Sequence, residues 1–442
     1  DDQSSLGNRE LSEITISAPH DTLTAYFGEE FVVSHLSVEQ SGEELPLAYE
    51  WSYGTLNTDE DGMASYPIKD SLHIVSHDPE LKYAFRELGT FGLRLRVDNG
   101  ETIRYKYFVL QVDTEFSEGI TILSRDGDGK GRISFMRTLT KEEINTGKVP
   151  VFRTDIMELI NSGTKMEDVT DMVQVNNRLL VCSGDAGRIY NMDSRTFDIE
   201  GMTSFKELYP GCAFVKFAGV SANNNIYLVS RDRRGYVYDY VLDELMLTEY
   251  FKDLDVDAAV SVDRPVFVNY ETSVFYSPSL GGVTSSLNRY VDFNIWGICA
   301  VGSSVYVMAT YKVMPSYIYL SQTTFSLGNP TILQFYDSLV SLKVNRNSLF
   351  AGSKSYSCLY YTCEDGIYYW DLKKQLSTTP VISIPVGMEI TSLSMNPDGT
   401  LLYVGLHEKE GTEALKGHLY VYDVKTSTLI SQYHNIADKP VA

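Results

Sequence analysis

From Gly119 to the C-terminus the chain alternates apolar and polar positions in short runs, the period-two signature of half-buried strands. One phrase recurs along it: a glycine or serine, then aromatic and β-branched residues. It stands at Gly187-Arg-Ile-Tyr190, Gly235-Tyr-Val-Tyr238, Ser273-Val-Phe-Tyr276, Ser316-Tyr-Ile-Tyr319, Gly366-Ile-Tyr-Tyr369 and Gly417-His-Leu-Tyr420, with successive copies 38 to 51 residues apart. Several short strands repeating at that interval predict a β-propeller. Repeat units are expected at 169–205, 212–250, 257–288, 292–336, 340–388 and 389–434. The earlier strands Gly119–Ser124 and Arg132–Met136 make a seventh unit, interrupted by a helical or irregular stretch over Lys141–Gly163. An open ring would leave strand edges exposed. Ile436–Ala442 is therefore expected to pair with the first unit and close the ring.

The N-terminal part has a different rhythm. Residues 1–10 are polar and acidic and read as a flexible leader. Strands are expected at Glu13–Ser17, Phe31–Leu36, Ala48–Tyr53, Gly92–Val97 and Tyr105–Val112. The last two form a hairpin through Asp98-Asn99-Gly100. About 100 residues of short strands around a central Trp51 predict an immunoglobulin-like sandwich. The expected division is a leader over 1–10, a sandwich over 11–115 and a seven-bladed propeller over 116–442, all-β throughout.

Composition narrows the partners. The net charge is −22, from 37 basic and 59 acidic residues. Such a surface repels phosphate backbones unless lysines and arginines cluster. The one dense basic group, Arg231-Asp-Arg-Arg234, is too short for a duplex footprint, so neither nucleic acid nor anionic lipid is an expected ligand. Mean hydropathy is −0.15, and no apolar run approaches the ~20 residues of a membrane-spanning helix. The chain starts at Asp1-Asp2, as expected for an exported product with its targeting segment removed. Five cysteines make an odd count. Cys358 and Cys363 lie in one strand-like run, five residues apart and on opposite faces, which is wrong for a disulfide. Buried apolar thiols are the better reading.

Three segments carry a family resemblance. Tyr49-Glu-Trp51-Ser-Tyr-Gly54 resembles the tryptophan strand of the polycystic-kidney-disease (PKD) domain, and Gly89–Asn99 resembles that domain's Gly-x-Tyr strand and turn. The Gly-Asp-Gly that often follows the tryptophan strand is replaced by Gly54-Thr-Leu-Asn57. Met395-Asn-Pro-Asp-Gly399 before Leu401–Gly405 resembles the YVTN class of propeller repeat. A PKD-like domain followed by a propeller is similar to the PKD-like lipoprotein family of Bacteroidetes. The resemblance implies a lipid-modified cysteine just before Asp1 and membrane contact through that anchor alone. It also implies display at the cell surface or the periplasmic side of the outer membrane, close to the transporters of nutrient uptake. It supplies no defined reaction.

Loops joining second to third strands, and fourth strands to the next first strand, gather on one face of a propeller. Those loops carry Asp185, Arg231, Arg233, Arg234, Tyr311, Lys312, Asp365, His407 and Glu408, while Trp296 falls in an innermost strand. Aromatic faces with polar rims suit a glycan or peptide, and the expected ligand-binding residues are Trp296, Arg233, Arg234, Tyr311, His407 and Asp365. Against this, most of the 31 tyrosines alternate within strands, as ordinary packing does.

Asp126-Gly-Asp-Gly-Lys-Gly131 has the first and third carboxylates of a calcium loop, but Lys130 and Arg137 occupy ligand positions, so a hairpin turn accounts for it. Asp253, Asp255 and Asp257 would share one face of an extended segment, as metal ligands or as a solvated strand edge. No cofactor is expected. Neither Gly-x-Ser-x-Gly nor His-Glu-x-x-His occurs. The function expected is that of a non-enzymatic surface binding protein. The alternatives are a metal-assisted lactonase- or lyase-like propeller enzyme and a scaffold subunit of an outer-membrane complex.

Overall fold

A computed structural model describes residues 10–58, 64–65, 72–220, 224–247, 255–278, 284–325, 331–339, 342–373 and 376–442. The chain is all-β apart from two short helices among the described residues, Lys141–Asn145 and Ile156–Asn161. It forms two compact units, Asp1–Ser117 and Glu118–Ala442.

In the N-terminal unit a five-stranded sheet runs in the order Thr22–Tyr26, Ile103–Asp113, Gly89–Asp98, Ala48–Thr55, His73–Ser76. The hairpin forms in the register Asp98↔Ile103. Its turn is closed by Asn99, whose Oδ1 accepts from the backbone N–H groups of Glu101 (3.0 Å) and Thr102 (2.8 Å). Leu93, Leu95 and Val97 are fully buried, while Arg94 and Arg96 between them face the opposite side. Trp51 is fully buried; its ring stacks on Phe108 at 6.2 Å and its Nε1 donates to the Asp78 carbonyl at 3.1 Å. The strand expected over Phe31–Leu36 is shorter, Glu30–Val32. His35 at φ +59° turns the backbone out of the extended region, and a separate strand, Ser37–Gln40, then pairs with Ile14–Ser17.

The C-terminal unit holds seven sheets among the described residues. The second to seventh sheets follow one another along the chain, over Val169–Ser204, Phe214–Leu247, Ala258–Leu287, Phe293–Leu339, Phe350–Trp370 and Met388–Ala437. Each is an antiparallel meander of four strands, except that over Phe350–Trp370, which has three. There, isolated bridges Ile367↔Ile382 and Trp370↔Leu376 stand in for a regular fourth strand. The first sheet is assembled from both ends: Gly119–Arg125, Gly131–Arg137 and Phe152–Arg153, with Lys439–Pro440 added at the edge. First strands of successive sheets touch, and the seventh returns to Lys439–Pro440, so the contacts close into a cycle.

The closing pair has the register Ser124↔Pro440 and Arg125↔Lys439. The Leu123 N–H donates to the Ala442 carbonyl (2.8 Å) and the Val441 N–H to the Leu123 carbonyl (2.9 Å). Arg132 Nε meets Asp438 at 2.9 Å. Between neighbouring sheets the repeated aromatics interlock edge to face, as Phe205 does on Phe214 and Tyr238, and within the third sheet Phe214 does so on Tyr236. All five cysteines are free thiols.

Candidate functional site

Trp296 lies in Phe293–Val301, the first strand of its sheet, where the register slips between Ile295 and Gly297. A slip of this kind re-aims a side chain. The Trp296 Nε1 donates to Thr310 Oγ1 at 2.8 Å. Arg346, in the connection leading to Phe350–Ser353, sets its guanidinium carbon 5.1 Å from the Trp296 ring and 4.1 Å from the Tyr270 ring. Both distances are within cation–π range. The Tyr270 N–H donates to Asp257 Oδ2 at 2.7 Å, and Asp257 Oδ1 receives Arg233 Nε at 2.7 Å. Arg233 also reaches Asp255 (3.2 Å) and Glu271 (3.6 Å).

A continuous path therefore runs Arg233–Asp257–Tyr270–Arg346–Trp296–Thr310 through the strand ends and connections of four consecutive sheets. Two residues expected from the sequence, Trp296 and Arg233, belong to it; Tyr270 and Arg346, which join them, were not anticipated. The hydrogen bonds that Arg233 donates to Asp257 raise its guanidinium above the usual range. Burial first, then the Asp257 charge, pushes the Tyr270 hydroxyl up to about 12 against the opposing charge of Arg346, which keeps it neutral near pH 7.

The other expected residues divide. Tyr311 ends the strand Ser304–Tyr311 and packs on Phe293 (4.6 Å), Tyr317 (5.3 Å) and Tyr319 (6.0 Å). Lys312 Nζ donates to the Val291 carbonyl at 2.6 Å, beside exposed Val291, Val313 and Met314. Arg234 is exposed on the Arg233 turn. Arg231 pairs with Asp185 at 3.0 Å. Asp365 accepts from the Tyr368 hydroxyl of its own sheet at 2.7 Å. His407 was expected in a loop but lies within the strand Leu401–Glu408, because the hairpin pairing extends to His407↔Gly417. Its Nδ1 is 3.2 Å from Glu389, which also meets Lys409 and Lys439. Burial works to raise the Glu389 carboxyl, but the bonds from Lys439, Lys409 and His407 hold it below its usual range. Asp365 and His407 thus spend their polar groups on neighbours in their own sheets.

Asp255 and Asp257 are both occupied by Arg233, and a guanidinium in a ligand set works against a divalent ion; Asp253 lies outside the described residues. The Asp126 carboxylate accepts from the N–H groups of Asp128 and Lys130, both at 2.9 Å, so the loop spends it on its own turn. Among the described residues no three His, Cys, Asp or Glu side chains cluster as metal ligands do.

A second group escaped the sequence reading. Asp171 and Lys216 each stand third in a first strand, Val169–Val175 and Phe214–Val220. Asp171 Oδ2 accepts from the Phe217 N–H at 2.9 Å. Burial pushes the Asp171 carboxyl up to about 6, with Lys216 and the N–H groups of Phe217 and Met172 pulling the other way. The same Lys216 charge is felt by Cys299, on the first strand of the fifth sheet. Lys216 is exposed although it stands in a first strand. An acid and a base at matching positions of consecutive inner strands were the signal available in the sequence. At the opposite strand ends, the turns between first and second strands line a cavity of about 370 Å³ with Gly302, Lys354, Ser355, Asn396, Asp398 and Gly399.

No protein-family model and no curated protein sequence matches the chain. The structure is similar to the crystal structure of a quinoprotein alcohol dehydrogenase-like protein from Bacteroides thetaiotaomicron, with a TM-score of 0.53 and 14% identity over 96% of each chain. A weaker likeness, TM-score 0.42 and 9% identity over 60% of this chain and 82% of the other, is to the structure of U3-55K. The first is a likeness of fold, and the chain is all-β and propeller-like. At such identity neither an activity nor a site residue transfers with the fold.

Proposed function

We propose that the chain is a seven-bladed β-propeller preceded by a PKD/immunoglobulin-like sandwich, and that its loop-bearing face binds an extracellular glycan or peptide without chemical turnover. The closed cycle of seven sheets supports the architecture, and the buried Trp51 at the centre of the N-terminal sheet supports the sandwich. One observation carries the binding reading: Arg346 held against Trp296 and Tyr270 on the loop face, continuous with Arg233 and Asp257. Aromatic side chains and fixed polar groups converging from four sheets are what a recognition site requires. The reading extends to a lipid-anchored protein at the outer membrane, accessory to nutrient uptake and working beside transporter components. Glycan and peptide arrays probed with purified protein test it. Binding that is lost in Trp296→Ala is expected; no binding on either array refutes it.

The Asp171–Lys216 pair favours a second reading, an enzyme working at the first strands of the second and third sheets. A carboxyl pushed up to about 6 beside an amine is suited to general acid–base work. Turnover of a lactone or an acidic polysaccharide that disappears in Asp171→Asn would replace the binding reading with this one.

A further inference from the structure

We propose that Arg346 is the anchor for a carboxylate, and that the ligand of this face is a peptide carrying one acidic group beside apolar side chains; this rests on the binding reading and narrows it. On the same face Arg231 is paired with Asp185, and Arg233 with Asp255 and Asp257. Among the described residues Arg346 has ring contacts alone: no acid lies within ion-pair distance and no acceptor takes its N–H groups. Arg234 on the same face is exposed and also lacks an ion pair among the described residues, but of the two it is Arg346 that is held against two aromatic rings. Contact with the Tyr270 and Trp296 rings at 4.1 and 5.1 Å restricts its motion, so less freedom is left to lose when a ligand forks onto it. The residue is exposed, and its guanidinium fork matches the two oxygens of a carboxylate.

The neighbouring surface separates peptide from glycan. Sugars bind by stacking on open aromatic faces. Here Arg346 lies against Trp296 and Tyr270, and Tyr311, Phe293, Tyr317 and Tyr319 pack on one another. Past Thr310, the acceptor of the Trp296 Nε1, the exposed side chains of the next turn are apolar: Val313 is 94% exposed and Met314 about half, as is Val291, whose carbonyl Lys312 meets. Apolar surface on the same face as a guanidinium suits an apolar side chain in a ligand that also carries an acid. The overall negative charge works against a polyacidic ligand, so a single carboxylate, from a side chain or a chain terminus, is the expected partner.

The protein contains three tryptophans, and two of them, Trp51 and Trp370, are fully buried. Emission changes on binding therefore report Trp296. A library of short peptides with free carboxyl termini is selected on the purified protein. Each hit is then remade with its C-terminus amidated, or with Asp and Glu changed to Asn and Gln, to separate the two sources of carboxylate. The proposal expects hits that share an acid, shift the tryptophan emission, and weaken by about 10- to 100-fold in Arg346→Met. Arg346→Lys, which keeps the charge without the fork, is expected to recover part of the affinity. Melting curves confirm that both variants fold. Hits that bind Arg346→Met as tightly as wild type, hits that need no acid, or uronate oligosaccharides binding where peptides do not would each overturn it. Failure of both peptides and glycans to bind would instead sink the underlying binding reading.

Discussion

Deleting Lys439–Ala442 would cut the pairing that joins the two ends of the C-terminal unit. The Leu123 main chain loses its partners: its N–H donates to the Ala442 carbonyl at 2.8 Å, and its carbonyl is shared by the N–H groups of Val441 at 2.9 Å and, more weakly, Ala442 at 3.3 Å, a shared acceptor counted as one bond. Leu123 is fully buried, so its N–H and C=O would need new partners. Each net bond contributes about 1 kcal/mol. Pro440, buried beside Gly405, contributes about 1 kcal/mol more by its removal from water. The Lys439–Glu389 pair at 3.2 Å is half exposed and adds only tenths. The loss comes to about 3 kcal/mol, which for a unit of this size lowers the urea midpoint by about 1 M. Equilibrium unfolding followed by near-ultraviolet circular dichroism reads it directly. An unchanged midpoint would show that the cycle of sheets does not depend on this strand, and the closure argument would fall.

Other outcomes follow from individual side chains. Asp171 has its carboxyl raised above the unfolded value, so its charge costs stability above about pH 6 and nothing below about pH 4. Asp171→Asn, which keeps an acceptor for the Phe217 N–H, is expected to raise stability by about 1–2 kcal/mol at pH 8 and to leave pH 4 unchanged, after allowance for water near the strand; an equal effect at both values contradicts this. His418 is 1% exposed, and its Nδ1 accepts from the Asn435 N–H at 2.9 Å. Burial and the neighbouring His434 depress its pKa while Glu408 works the other way. The folded state thus holds the neutral ring, and its contribution is present above about pH 6.5 and lost as the pH falls through the depressed value. Melting temperatures between pH 7 and 5 are expected to fall less steeply in His418→Gln than in wild type, and parallel curves would count against the argument. Because Arg233 occupies Asp255 and Asp257, millimolar calcium is expected to leave the melting temperature unchanged; a rise of several degrees would restore the metal reading.

The repeat was legible because each copy of the aromatic phrase lies in the third strand of its sheet, or in the second strand's partner, where alternation sets packing. Closure by the C-terminus was legible from edge-strand logic. Thr22–Tyr26 was missed: it buries only Ala25 and pairs parallel with Val109–Asp113, so its apolar pattern is thin. Phe31–Leu36 was drawn too long because a left-handed residue such as His35 leaves no trace in hydrophobic spacing. In the candidate site, Trp296 and Arg233 stood out by residue type and loop position. Arg346 did not, since a stacked arginine is defined by rings on other sheets and has no local spacing. Asp171 and Lys216 were visible as charges in inner strands, but they become a pair only once the two strands lie side by side.

Hydrogen exchange with and without a peptide selected on the purified protein locates the binding face most directly. Slowed exchange at 231–234, 255–257, 270–273, 312–316 and 342–349 is the predicted result. Slowing confined to the opposite turns at 302–303, 354–357 and 396–400, or to residues of the N-terminal unit, would contradict the placement of the site.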